Sequence, residues 1–300
     1  MRSKFLSCPR SWLFGDLLGL KSPGTNVHLH AGKAWAEGLE VTRRCFYELK
    51  QSPSESISAG LLALAHAYGD FEPHPKEAKT LERMIEAFSY YFTCFPLETD
   101  PVQPYTPPGG KPMIEFGFTL PLDDSLRHPE TGEPIFYTGR ADMVGTYAGA
   151  VSIYDDKTTS ALGASWANQW LLRAQFTGYC WAARQFNIPV TQVVIRGIAI
   201  LKTQFNHAQV ITHRSDHLIS EWHEQIIRDI KRAIQCWKDG YYDANLSDSC
   251  SSFGSCAYLQ VCQSNNPVPW LTGGNFAVRA WNPVTREETL GDIENVKRYF

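Results

Sequence analysis

The apolar positions of this chain change period near residue 110. Before that point the spacing is helical. Ser11–Leu20 is short and amphipathic, Ala31–Gln51 carries apolar Ala34, Leu39, Val41 and Phe46, and Ser56–Tyr68 and Ala78–Phe95 continue the pattern. The proline-punctuated stretch Asp100–Pro112 interrupts it and reads as a loop. Beyond it, Met113–Leu120 alternates, and Ile135–Tyr147, Val151–Asp156 and Val193–Leu201 are rich in strand formers. A helix over Trp166–Phe186 falls between the last two, and Ala208–His213 pairs with Val193–Leu201 through Gln204, Phe205 and Asn206. A long helix over Asp216–Asp239 follows. The sequence from Asn265 onward shows turn signals and little period. The expected organisation is one domain: a helical region over 1–109, an α/β core over 110–215, a helix and cysteine segment over 216–264, and a tail over 265–300.

Composition narrows the class. The 300 residues are 43% hydrophobic and 20% charged, close to globular averages and unlike disordered or fibrous chains. Lys+Arg 28 against Asp+Glu 31 gives a net charge of −3, which excludes capture of nucleic acid by bulk positive charge but leaves room for a local basic groove. No apolar run approaches the ~18–20 residues of a membrane span. The basic start at Arg2 and Lys4 lacks the apolar core of a signal peptide, so the expectation is a soluble, cytoplasmic protein with no membrane partner. In a reducing compartment, grouped cysteines point to metal and not to disulfides. Of the eight cysteines, Cys250, Cys256 and Cys262 form one group, each separated by five residues amid Ser, Gly and Asn, and thiolates there suit an iron–sulfur cluster or Zn²⁺. Cys45, Cys94, Cys180 and Cys236 lie in helical patterns and read as small core residues, while His213, His217 and His223 read as solvated.

The candidate chemistry lies between Gly139 and Thr159. Two strand-like runs flank a turn centred on Ala148 and Gly149, so cross-strand partners sum to 297 and Asp142 stands opposite Asp155. Their Cβ atoms would be roughly 4.5–5.5 Å apart on one face. Lys157 points to that face and Asp156 to the other. Opposed carboxylates repel, unless the strands simply expose them to water. A divalent cation reverses the sign, and two hard carboxylates with open positions suit Mg²⁺ or Mn²⁺. An adjacent ammonium can orient water or stabilise developing phosphate charge. Downstream, Gln175 and Tyr179 share one helix face, where an amide and a phenol either line a surface or contact a phosphate or base.

In order and spacing, Gly139, Asp142, Asp155, Lys157, Thr158, Gln175 and Tyr179 resemble the PD-(D/E)xK nuclease superfamily, most closely its RecB-like branch. Cys8, Pro9 and Arg10 resemble the opening of members that carry an iron–sulfur cluster, among them CRISPR-associated exonucleases and AddB-type nuclease subunits. The resemblance runs from Cys8 to Cys262. It implies a restriction-endonuclease-like core, a mixed β-sheet flanked by helices, with the helical N-terminal region before it and the Cys-rich segment after. It also implies metal ligands at Asp142, Asp155 and the carbonyl of Asp156, and a structural [4Fe–4S] cluster on Cys8, Cys250, Cys256 and Cys262, for which Zn²⁺ is the alternative. Two positions depart from the pattern. Gly32, Leu39 and Glu40 match the helix motif, but Ala36 stands where the family places a histidine ligand, for which His30 and Glu37 are the nearby substitutes. Relatives space the last cysteines as Cys-x-x-Cys-x5-Cys, so Cys250 falls three residues early.

The resemblance implies a metal-dependent DNA nuclease, an exonuclease, in which Asp142 and Asp155 hold the metal, Lys157 positions the nucleophile or stabilises the transition state, and Gln175 and Tyr179 place the strand; Glu115, on the strand before the hairpin, is a further candidate for supporting the site. DNA is then the substrate, with a helicase or integrase-type protein as partner. The alternatives are a non-catalytic DNA-binding or scaffold subunit that retains the fold, favoured by Ala36, and a zinc-stapled hydrolase of small phosphate esters.

Overall fold

The computed structural model describes residues 2–24, 26–246, 248–251, 255–282, 284–285 and 287–291. In chain order the helices are α1 (Arg2–Ser7), α2 (Pro9–Trp12), α3 (Val27–Arg43), α4 (Pro53–Tyr68), α5 (Leu81–Cys94), α6 (Ala164–Asn168), α7 (Ala174–Gln185), α8 (Asp216–Asp239), α9 (Leu259–Gln263) and α10 (Val268–Thr272). The strands are β1 (Leu20–Lys21), β2 (Gln103–Pro104), β3 (Ile114–Pro121), β4 (Phe136–Tyr147), β5 (Ala150–Thr159), β6 (Gln192–Ile200), β7 (Phe205–His213), β8 (Ala277–Asn282) and β9 (Glu287–Gly291). Two compact units result. One comprises Met1–Gly24, Thr119–Thr138 and His223–Phe300, the other Thr25–Phe118 and Gly139–Trp222.

The second unit carries most of a six-stranded mixed sheet of order β2-β4-β5-β6-β7, with β3 also paired to β4. Strands β5 and β6 run parallel, as the intervening α6 and α7 require. Every residue of β6 is buried, as expected of a central strand covered on both faces. Helices α3, α4 and α5 pack on this sheet through Trp35, Leu39, Leu64, Met84, Phe88 and Ile198. Local signals start these helices where they begin. Asn26 Oδ1 accepts the first free N–H groups of α3, and Ser52 and Glu55 form a capping box with Pro53 in the first turn of α4. The contact of α3 with α4 needs small residues, because a Cβ on Gly60 would lie 2.6 Å from the Gly38 carbonyl oxygen.

The first unit holds a small sheet of order β1-β8-β9 and a core of Leu13, Phe14, Leu20, Tyr242, Tyr258 and Val261. Tyr258 donates its hydroxyl to the Leu20 carbonyl at 2.7 Å, which satisfies the one polar atom of a buried ring.

The mixed sheet flanked by helices matches the expected class, and α8 has the expected bounds. Other expectations require correction. The helix over Ser11–Leu20 is the short α2, a π-helical turn over Leu13–Leu17 and strand β1. The helix over Ala31–Gln51 starts earlier, at Val27, and ends in a π-helical turn, Arg44–Glu48. The helix over Trp166–Phe186 is two helices, broken at 169–173. There Arg214 donates to the Trp170 carbonyl at 2.9 Å, and a tertiary partner replaces the helical one. The loop Asp100–Pro112 contributes the short edge strand β2, and the tail contributes β8 and β9, although part of the 265–300 segment lies outside the described residues. His223 is half-buried and its Nε2 lies 2.7 Å from the Leu122 carbonyl, so it is not simply solvated.

Candidate active site

The β4–β5 hairpin has the register read from the sequence. Met143 faces Tyr154 and Tyr147 faces Ala150, each pair summing to 297. The turn holds both Ala148 (φ 49°) and Gly149 (φ 79°) in the left-handed region, as a two-residue primed turn requires. The pairing ends at Met143 and Tyr154, and Asp142 and Asp155 follow immediately beyond it on the two strands. Asp155 is 2% exposed, and the Lys157 ammonium forms an ion pair with its Oδ1.

The carboxylates at this site resist ionisation. Burial raises the Asp155 pKa first, Asp142 adds repulsion, and Lys157 opposes both. Burial likewise raises Asp142, against the pull of Lys157. Burial alone would lower Lys157, but Asp155 and Asp142 outweigh it and hold the ammonium charged. Asp142 Oδ2 also accepts the Asp156 backbone N–H at 2.7 Å, which ties the two strands together beneath the site.

The Asp156 side chain points to the opposite face, as the alternation of a strand dictates. There Arg43 donates to Oδ2 at 2.5 Å, and the Tyr91 and Tyr154 hydroxyls each donate to Oδ1 at 2.9 Å. Only the Asp156 main chain is therefore turned toward the site. Thr158 is held from α5's approach, where Lys79 Nζ donates to its hydroxyl at 2.9 Å. Burial of that lysine pushes its pKa down to about 8.

From α7, the Gln175 amide donates to the Tyr179 hydroxyl at 3.0 Å, so the pair acts as one unit. Burial raises the Tyr179 phenol, and Asp155 adds to the rise while Gln175 and Lys157 oppose it, which places the phenol within the field of the acidic pair. Gly139 permits this approach. A Cβ there would lie 2.7 Å from Cε1 of Tyr179 and would also strike Phe118.

Glu115 is the strongest addition to the site. It sits in β3 with φ 56°, a left-handed conformation uncommon for a non-glycine residue and one that tends to mark functional sites. Its side chain is 6% exposed, and Oε2 meets the Arg140 guanidinium at 2.7 Å without any hydrogen bond of good geometry. Burial, then Asp142, push its carboxyl up to about 8. Arg140 also lies 3.9 Å from Glu40, which brings α3 to the same cluster. The two suggested substitutes for the family histidine do not join it. His30 Nε2 lies 2.8 Å from the Tyr68 carbonyl and its ring stacks near Phe71, while Glu37 is exposed. Sequence reasoning missed Arg43, Lys79 and Arg140. All three act across elements distant in sequence, where no local spacing reports them.

A divalent cation fits this donor set. Two hard carboxylates side by side, Asp155 buried and Asp142 half-buried, are destabilised by mutual repulsion, and the Lys157 ammonium already supplies one positive charge against Asp155. A family model for the PD-(D/E)XK nuclease superfamily matches residues 3–263.

The chain belongs to the PD-(D/E)XK nuclease superfamily.

Its sheet and flanking helices are the restriction-endonuclease-like fold of that superfamily. No curated protein matches the sequence. Among solved structures, a "putative exonuclease" from Eubacterium rectale is 15% identical with a TM-score of 0.45, covering 89% of this chain and 86% of that one. The protein SSO0001 is 13% identical with a TM-score of 0.32, covering 77% and 86%. Likenesses this distant carry no argument about activity.

Cys8, Cys250, Cys256 and Cys262 of this PD-(D/E)XK protein lie in the first unit, whereas Cys45, Cys94 and Cys180 lie in the second. Cys8 caps α2, its Sγ accepting the Ser11 N–H at 3.5 Å. Burial raises the Cys262 thiol, Arg10 opposes the rise, and Cys256 and Cys8 reinforce it, so these three thiols share one neighbourhood. The Cys250 thiol donates to the Asn245 carbonyl at 3.6 Å. Among the described residues, no group of three or more His, Cys, Asp or Glu side chains is arranged to hold a metal ion. The acidic site is accordingly a pair with Glu115 beside it, not a closed cage.

Proposed function

We propose that this protein is a metal-dependent DNA nuclease, acting as an exonuclease, and that residues 1–300 work as one nuclease domain of the RecB-like branch. The observation that carries the reading is the β4–β5 hairpin, whose register leads from Met143–Tyr154 to Asp142 beside Asp155, with Lys157 on the same face. Asp142, Asp155 and the Asp156 carbonyl would hold Mg²⁺ or Mn²⁺, which would supply Lewis acidity and lower the pKa of a water. Asp142 and Asp155 provide the negative charge that selects a divalent cation over a monovalent one. Lys157, kept protonated by both carboxylates, donates hydrogen bonds toward the phosphate oxygens and balances charge as the phosphodiester is attacked. Gln175 and Tyr179, bonded to each other, present an amide and a phenol to the strand. Glu115, its carboxyl pushed up to about 8 by burial and Asp142, would present a proton donor beside Asp142.

In the first unit, Cys8, Cys250, Cys256 and Cys262 are the ligands proposed for a structural [4Fe–4S] cluster, with Zn²⁺ as the competing metal. Support comes from the soft donor set and from the shared surroundings of Cys8, Cys256 and Cys262. A helicase or integrase-type partner is part of the same proposal.

Strand-resolved cleavage of end-labelled DNA in Mn²⁺ tests the reading. Wild type should release products from one end, and Asp155→Ala and Lys157→Ala should not. Binding without cleavage by the wild type would favour the non-catalytic alternative, which Ala36 supports. Iron and sulfide in anaerobically purified protein, with a broad band near ~400 nm, test the cluster; zinc alone would refute it.

A further inference from the structure

The break between α6 and α7 builds a rigid tip that the chemistry described so far does not use. Trp170 is buried, its ring edge-on to Trp166 at 5.7 Å and inclined to Phe176 at 5.8 Å. Arg214, 1% exposed, donates to the Trp170 carbonyl at 2.9 Å and to the Thr177 hydroxyl at 3.0 Å, which pins both sides of the break. On this fixed pedestal Leu171 is 51% exposed and Leu172 is 72% exposed, and the Arg173 guanidinium projects beside them, 5.9 Å from the Trp170 ring. A well-anchored turn that presents two adjacent leucines to water is built for contact, since nothing in its own packing requires them there.

Its position identifies the contact. The tip leads directly into α7, whose first turn carries Gln175 and Phe176, and the Phe176 ring lies 6.0 Å from Lys157 Nζ. Phe176 thus packs against the tip's Trp170 on one side and lies near the Lys157 ammonium on the other, which sets the tip beside the acidic pair. Apolar surface beside an exposed guanidinium matches the two faces of a nucleotide, a flat base and a charged phosphate.

Resting on the nuclease reading, we propose that Leu171 and Leu172 form a base-contacting tip that receives the unpaired nucleobase next to the phosphate at the acidic site, with Arg173 on the neighbouring phosphate. The tip thereby makes unpaired strands the preferred substrate. It reads no sequence, because leucine offers no hydrogen bond to a base edge.

The test measures binding, so it does not depend on turnover. A fluorescein-labelled single-stranded oligonucleotide and the same strand with tetrahydrofuran abasic residues are titrated against the Asp155→Asn protein, which keeps Lys157, with Mn²⁺ present. The base-bearing strand should bind roughly tenfold tighter, the scale expected for partial burial of two leucines. Adding Leu171→Ala and Leu172→Ala together should abolish that preference, and Leu172→Met should retain it. Equal affinity for the two strands, binding of neither, a preference that survives the double alanine variant, or tighter binding of a blunt duplex each overturns the proposal. A preference that behaves as expected in a protein whose wild type cleaves no DNA upholds the tip and refutes the nuclease reading alone.

Discussion

Glu115 offers the sharpest physical test of the acidic site. Its carboxyl is pushed from 4.5 up to about 8, first by burial and then by Asp142. The sign follows from linkage. Between these two values the folded protein keeps a proton that the unfolded chain has released, so stability falls as pH rises, and the loss is complete only above about 8. At about 1.4 kcal/mol per pH unit, the loss between pH 5 and pH 8 is roughly 3 kcal/mol. Glu115→Gln removes the titration while keeping the shape. It gives up the pair with Arg140, a half-exposed partner whose contribution is about 0–1 kcal/mol. Denaturant unfolding of both proteins in EDTA at pH 5 and pH 8 isolates the effect, because groups that do not interact with Glu115 cancel in the difference. Glu115→Gln should gain roughly 3 kcal/mol on wild type across that interval. Saturating Mn²⁺ at pH 8 should then stabilise the wild type more than the variant. Parallel pH curves would show that Glu115 titrates normally and is not held against Asp142.

Three further outcomes follow from neighbouring contacts. Arg43→Met leaves the buried Asp156 carboxylate with only two tyrosine donors, and thermal or denaturant unfolding should show a loss of about 3–5 kcal/mol. Gly139→Ala places a methyl group against Phe118 and Tyr179, and should cost about 1–3 kcal/mol while displacing the Tyr179 hydroxyl from Gln175, visible as a raised KM for DNA. Lys79→Met removes a buried amine whose pKa is pushed down to about 8. Relative to the wild type, the variant's advantage should therefore be largest below pH 8 and fade as pH rises from 8 toward 10.5, where the unfolded lysine also loses its proton; an advantage that is flat across this range would contradict the burial argument.

The hairpin was legible because its determinants are local. Ala148 and Gly149 accept left-handed backbone, the flanking residues alternate, and the register follows without help from the rest of the chain. The long helix over Asp216–Asp239 was legible for the same reason, having an unbroken apolar stripe. Where distant residues decide, the sequence was silent. No glycine or proline marks the break at 169–173, which Arg214 stabilises from the end of β7. Strand β8 pairs with Leu20 and Lys21, from the other end of the chain, and has little period of its own. The left-handed Glu115 and the ion pair from Arg43 to Asp156 likewise exist only once the sheet and α3 have come together. Spacing placed Asp142, Asp155 and Lys157 on one face, but it could not show that Asp155 is buried, and burial is what makes the pair costly without a cation.

The most direct test of the central claim is single-turnover cleavage of an end-labelled single strand, comparing wild type with Lys157→Ala and Asp155→Asn at saturating Mn²⁺. The account predicts Mn²⁺-dependent cleavage by the wild type. It predicts a loss of roughly 10²–10³-fold for Lys157→Ala, the scale of removing one transition-state donor, and no measurable cleavage by Asp155→Asn. Wild-type rates in either variant, or cleavage that persists in EDTA, would contradict it.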